Sequence, residues 1–402
     1  MHILKMVFKN VPPFENILEI DFTNTDSVRR SLDDNEFDMK VFKIKPGIYS
    51  HVLMALTGLN ATGKTTALEL MSMASQIIID GENLNEQSVR RFLMKIYPHF
   101  SEKKDDLLSW DIYFVHKNKV YKLHSVINKN NEDRNEFFYE EEVLWEKSLR
   151  SVLHDNLFDF SDDQIKTNRS KERDNPYFKN DMSIVASLGT FSETLRPIGV
   201  DTMINFPFWR GKPTQEALHL FDPNISDLSI EKKENGNLEC HLNFSNQSQV
   251  EYGGSPMLLN SMLSAGTIRG LSIMPAIIQV LGRGGYVFID ELENNFNKKI
   301  IEWFLELFTD KRTNPHGACL VFTTHYPELL DTFSRKDNIF ITRRDENNYC
   351  ECVKYSTFIK RNELSKGKVI LENVIRGTAP RYKDLLAAHK WVANTVREMN
   401  QD

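Results

Sequence analysis

Four stretches of the chain carry side chains suited to holding and cleaving a phosphoanhydride. Gly58-Leu59-Asn60-Ala61-Thr62-Gly63-Lys64-Thr65 fits the pattern G-x-x-x-x-G-K-[ST]. Its glycines let main-chain N–H groups of Gly58, Asn60, Ala61, Thr62 and Gly63 wrap a β-phosphate, and Thr66 continues that lining. Lys64 is expected to reach the β- and γ-phosphates, and the Thr65 hydroxyl to bind Mg²⁺. The second stretch, "YVFIDELE", delivers Asp290 as a Mg²⁺ ligand and Glu291 as the general base for an attacking water, with Glu293 read as a solvated loop acid. The third, "CLVFTTHYPELL", ends a strand at His325, expected to orient the γ-phosphate or that water without needing to titrate. The fourth, Leu263-Ser264-Ala265-Gly266-Thr267, holds no nucleophile, base or metal ligand. It is a small hydroxyl-rich turn opening a helix, a second N-terminus able to face an anion.

These groups act together only if strands carry them to one edge. "SHVLMALTG" is an apolar run ending at Gly58, and "KTTALELMSMASQIII" after it has helical spacing. "GYVFIDE", "NKKIIEWFLELFTDK" and "ACLVFTTH" repeat the alternation of strand and helix, which implies a largely parallel sheet. "HILKMVF", "ILEIDF", and the segment from Ser109 to about Val143 with a turn at His116-Lys117-Asn118, read as antiparallel strands beside it. Residues 161–181 are polar, and their Lys166, Arg169, Lys171 and Arg173 read as a solvated face, with phosphate contact to nucleic acid as the alternative. Residues 182–222 look mainly helical, and Asn235-Gly236 marks a tight hairpin. Pro275 is expected to kink or end its helix.

Composition narrows the class. The chain has 402 residues, 41% apolar and 26% charged, as in an ordinary globular protein. A net charge of −6 gives no overall pull toward DNA or an anionic membrane. The start, "MHILKMVFKN", lacks the apolar core of a signal peptide, and no uninterrupted apolar run reaches the ~18 residues that span a bilayer. Cys240, Cys319, Cys350 and Cys352 form no zinc-type pairing, so reduced thiols and a cytoplasmic location are expected.

One chain cannot easily aim both the Lys64 loop and the Ser264–Gly266 turn at the same phosphate, whereas two chains packed head to tail can. That logic resembles the ATP-binding-cassette superfamily, whose signature "LSGGQ" is similar to Leu263–Thr267, with the same motif order. The nearer resemblance, carried by "LSAGTIRGLSIMP", "GGYVFIDELENNFNKK", "LVFTTHYPELLD", "RKDNIFITRRDENN" and "VIRGTAPRY", is to stand-alone bacterial ATPases called AAA_15 or AbiL-like. Where such relatives often have His-Pro after the acid pair, this chain has Asn294-Asn295-Phe296. The interface glutamine of the cassette fold is not identified, Gln76 and Gln164 being weak candidates. Arg269 either touches a phosphate across the interface or makes a surface or intrachain salt bridge.

The expected fold class is α/β: a P-loop NTPase of the ABC-ATPase type, with a mostly parallel core, an antiparallel β lobe and a helical insertion. Four regions are expected: an ATPase lobe over 1–160, a polar arm and helical insertion over 161–225, a second ATPase lobe over 226–345, and a strand and helical tail over 346–402. The resemblance implies an ATP- and Mg²⁺-dependent switch, a homodimer or higher homo-oligomer closed around nucleotide. It would control a separately encoded effector in phage defence, since the 77 residues after His325 contain no Asp-x-Asp nuclease pair. The alternative is a DNA-binding repair ATPase.

Overall fold

The computed structural model describes residues 1–14, 17–26, 38–97, 107–130, 136–172, 178–188, 198–200, 211–234, 236–245, 252–345, 347–361 and 364–399. The chain opens with β1 (His2–Lys9), β2 (Leu18–Asp21), β3 (Val41–Lys45), β4 (Ile48–His51) and β5 (Leu53–Gly58), followed by α1 (Lys64–Ser75) and α2 (Gln87–Ile96). Then come β6 (Ser109–His116), β7 (Lys119–Lys129), β8 (Phe137–Ser148), β9 (Ile165–Asn168), α3 (Ile184–Ser187), β10 (Ile198–Val200) and α4 (Gln215–Phe221). A small sheet of β11 (Ile225–Lys232), β12 (Leu238–Phe244) and β13 (Tyr252–Gly254) precedes α5 (Leu259–Met262) and α6 (Ala265–Arg283). The rest is β14 (Tyr286–Ile289), α7 (Lys298–Thr309), β15 (Cys319–Thr324), β16 (Ile339–Arg344), β17 (Cys350–Lys354), α8 (Tyr355–Phe358), α9 (Lys366–Leu371) and α10 (Tyr382–Met399).

The central sheet has the order β10-β14-β15-β5-β16-β17 and is parallel except for the β16–β17 pair. Its inner strands β5, β14 and β15 are buried along their whole length because both faces are covered. Met54, Leu56, Tyr286, Phe288 and Val321 point to the core shared with α1 and the antiparallel sheet. Their immediate neighbours Leu53, Ala55, Val287, Ile289 and Phe322 point to the opposite core, shared with α6 and α7. The second large sheet, β2-β1-β6-β7-β8-β9, is antiparallel throughout. The expected turn after His116 is present, with His116 paired to Lys119 and Lys117 at φ 53°.

Several expectations change. In 161–181, read as a polar arm, β9 extends the antiparallel sheet; in the described part of 182–222, read as mainly helical, α3 and α4 are short and β10 adds a parallel strand beside β14. Lys166 is exposed, as expected, and pairs on the surface with Glu146 at 2.9 Å, whereas Arg169 is buried against Glu142 at 2.7 Å and is not part of a solvated face; Arg173 lies outside the described residues. Arg169 supplies a buried counter-charge to the sheet, and the polarity of the sequence around it does not distinguish that from exposure. The β11–β12 hairpin forms, but its last pair is Lys232 with Leu238, so the loop is longer than two residues; Asn235 lies outside the described residues. Pro275 does not end α6, which runs on to Arg283. By length and composition α6 is also apolar enough to cross a membrane. Its apolarity has another use here, since Ile268 and Leu271 pack toward the small sheet and Ile273, Ile277 and Val280 toward the main one.

Candidate functional site at the carboxyl edge of the parallel sheet

In a parallel sheet every strand ends on the same edge, and ligand sites gather there. Strand β5 ends at Gly58, β14 just before Asp290 and β15 just before His325. Adjacent pairing of β14 with β15 and of β15 with β5 brings the three ends together.

The loop after β5 is braced from behind. Gly58 has φ +151°, and a Cβ there would lie 2.0 Å from the Thr342 carbonyl oxygen, so a side chain is excluded. The Thr62 hydroxyl turns inward, donating to Leu59 O at 2.7 Å and contacting Thr342 Oγ1 at 2.7 Å. Its role is therefore to shape the loop, and only its main chain remains for a ligand. Arg344 donates to Ala61 O at 2.8 Å, fixing Ala61, whose φ is +58°. The helix α1 starts at Gly63 with no side-chain cap, so its first N–H groups remain available to an anion. Asn60 and Thr65 are exposed and Thr66 half-buried along this rim.

Lys64 is buried, and its Nζ donates to Gly58 O at 2.9 Å and Leu59 O at 2.8 Å, closing the loop over itself. Burial brings its pKa down to about 8, opposed by the attraction of Asp290, Glu291 and Glu293. The Thr65 hydroxyl donates to Asp290 Oδ2 at 2.8 Å. Asp290 Oδ1 accepts from Thr323 Oγ1, which in turn accepts from the Glu291 N–H at 2.7 Å. Thr323 thus orients both acids. Glu291 stands at the strand end with φ +46° and a partly exposed carboxylate, its Oε1 3.7 Å from His325 Nε2. This is an uncommon conformation for a non-glycine residue and needs surrounding support.

A Mg²⁺ ion fits this donor set. Thr65 and Asp290 present hard oxygens in direct contact, and among the described residues no group of three or more His, Cys, Asp or Glu forms a dedicated cage. Mg²⁺ ordinarily takes one or two protein oxygens and completes its shell from waters and substrate phosphates.

The remaining expected residues divide. Ser264 is exposed and caps α6, its Oγ accepting from Thr267 N–H at 3.0 Å. Gly266 is required within the chain, because a Cβ would lie 2.4 Å from Asn295 O. Two readings are corrected. Glu293 is buried, and Oε1 accepts from the His325 N–H, so it is not a solvated loop acid. Arg269 has no exposed surface and donates to main-chain carbonyls of its own chain, so it is not placed to reach across an interface, and among the described residues it forms no ion pair. Gln76 lines a cleft of about 440 Å³ together with Thr65, Ser72, Arg91, Lys95 and Asp290. Eleven helical steps of 1.5 Å separate its backbone from that of Thr65 by roughly 16 Å along the helix. Gln164 folds back on the Ser161 N–H at 3.2 Å in the antiparallel lobe. Sequence reasoning missed Thr323, Thr342 and Arg344. The adjacent threonines before His325 were the one available signal, since a strand interior rarely spends two hydroxyls without partners.

A family model described as "AAA domain, putative AbiEii toxin, Type IV TA system" matches residues 53–331, from β5 to the turn after His325. No curated protein matches the chain.

Proposed function

The chain belongs to that AAA family, a P-loop ATPase group of abortive-infection type, and on this premise we propose that it is an ABC-type ATPase switch. The observation that carries the reading is the convergence of Lys64, Thr65, Asp290, Glu291 and His325 on one sheet edge.

In this mechanism Lys64 leaves the Gly58 and Leu59 carbonyls for the β- and γ-phosphates, exchanging two neutral acceptors for charged ones. Main-chain N–H groups of the Gly58–Thr65 loop and the uncapped start of α1 hold the β-phosphate. Thr65 and Asp290 would hold Mg²⁺, which when bound neutralises charge on the phosphates. Glu291 accepts a proton from water as the water oxygen bonds to the γ-phosphorus and the bond to the β–γ bridging oxygen breaks, giving ADP and inorganic phosphate. His325, beside Glu291, orients that water or the γ-phosphate.

The reading extends to a head-to-tail homodimer in which Ser264 and Gly266 of one chain cover the nucleotide held by the other. The exposure of Ser264 at a helix N-terminus supports this. It extends further, from the motif resemblance, to control of a separately encoded effector in phage defence in the cytoplasm; the abortive-infection toxin in the family's description is the support for the defence part of that reading. The test is ATP turnover of wild type and Glu291→Gln, with the size of each measured with and without ATP. Turnover should fall by about a hundredfold or more on substitution, and the substituted chain should self-associate with ATP. Unchanged turnover removes Glu291 as the base, and no ATP-dependent association removes the sandwich.

A further inference from the structure

Arg269 lies on the second turn of α6 with no exposed surface. Its Nη2 donates to Asp290 O at 3.0 Å and Glu291 O at 2.9 Å, and its Nη1 donates to Asn294 O. The Phe296 ring centre lies 5.3 Å from the guanidinium carbon. Burial lowers the Arg269 pKa, against the pull of Glu293, Glu291 and Asp290. On the other side of the same loop, buried Glu293 accepts from the main-chain N–H of His325. A turn earlier in α6, Gly266 admits the Asn295 carbonyl to a distance no side chain would allow.

A buried guanidinium is costly, and where only space has to be filled an apolar side chain does so more cheaply. What the fork supplies is simultaneous hydrogen bonding to carbonyls that bracket the left-handed residue Glu291. The loop carrying the acid is thereby held from the signature helix on one side and from the His325 strand on the other.

We propose that Arg269 is a positioning residue for hydrolysis: it holds the Asp290–Asn294 carbonyls so that the Glu291 carboxylate faces nucleotide bound by the same chain. The inference rests on the ATPase reading above and assigns the part of that site that aims its base. Lysine keeps the charge but loses the planar fork, so Arg269→Lys should relax the aim of Glu291 while leaving the phosphate loop intact.

The experiment measures kcat, KM, ATP affinity and thermal melting for Arg269→Lys and Phe296→Leu, and repeats Arg269→Lys in a Glu291→Gln background. Arg269→Lys should lower kcat by about tenfold or more with ATP affinity within about threefold of wild type. Phe296→Leu, which removes the ring and leaves the carbonyl bonds, should shift kcat the same way by a smaller factor and remains the test if Arg269→Lys does not fold. With Glu291 already replaced, Arg269→Lys should cost less than about twofold, because its effect passes through that residue. An equal loss in both backgrounds, an unchanged kcat, or kcat and affinity falling together overturns the proposal. A wild-type protein without Glu291-dependent turnover overturns the ATPase reading instead.

Discussion

Thr65 and Asp290 are 225 positions apart in the chain, and the hydroxyl of one donates to the carboxylate of the other at 2.8 Å. The contact follows from strand order. With β15 between β5 and β14, Thr65 enters from the first turn of the helix that follows β5 and Asp290 from the end of β14, and the intervening Thr323 bonds the second oxygen of Asp290. The carboxylate is thus held by two threonines before any ligand arrives, which lowers the cost of ordering it on binding.

The depressed Lys64 pKa sets a pH dependence. In the free chain burial brings the ammonium pKa down to about 8, and phosphates beside it raise that value, so binding takes up protons above it. ATP affinity should be level below about pH 8 and should fall as pH rises past it, by up to about tenfold per unit, until the bound-state pKa is reached. Titrating ATP binding from neutral pH to about 9.5 checks this, and a flat profile contradicts it.

Gly58→Ala should damage the phosphate loop directly. The added Cβ meets main chain at Thr342 rather than a movable side-chain tip, so β5 or β16 must shift. A loss of about 2–4 kcal/mol in unfolding free energy is expected, with ATP binding weakened at least about tenfold. Urea unfolding and ATP titration on the same preparation read both effects, and near-wild-type values for both would show that the loop does not need this approach.

Complementation tests the shared pocket. Lys64→Ala should abolish nucleotide binding in its own chain, and Ser264→Arg should block the lid offered to a twin. A mixed dimer rebuilds one intact site from the Lys64 of one chain and the Ser264 of the other. Mixing the two inactive proteins should therefore restore turnover well above either alone, and a mixture no more active than its parts argues that each chain works by itself.

Away from the site, Glu142 is buried and receives Arg169 Nη2 at 2.7 Å, Ser183 Oγ, and the Ile184 N–H at 2.8 Å. Burial pushes its carboxyl pKa up against the pull of Arg169 and Ser183. Glu142→Ala leaves a buried guanidinium, 4.9 Å from the Tyr139 ring, without its counter-charge. A loss of about 3–5 kcal/mol is expected from the shift in the urea midpoint. A change below about 1 kcal/mol would mean that water reaches Arg169.

Much of the fold is legible in the amino-acid sequence. The apolar runs ending at Gly58, Ile289 and Thr324 read as strands buried on both faces, and their alternation with helical segments reads as a covered parallel sheet. The strands β9 and β10 in the 161–222 region were not legible. Charges at Arg169 and Lys166 look the same in sequence whether they meet water or Glu142 and Glu146, and β10 is too short for a periodic pattern to identify. Arg269 shows the same limit, since its sequence neighbours do not reveal that its partners are carbonyls some twenty residues on.

What the sequence determined by itself is the set of reacting groups and their order, because the phosphate loop is local: its glycines, lysine and hydroxyls fall within consecutive residues that fold as one turn. What only the tertiary structure decided is how those groups are aimed. Thr342 behind Gly58, Thr323 between Asp290 and Glu291, and Arg269 against the acid loop are all contacts between segments distant in sequence, fixed by strand order and packing that no local pattern encodes.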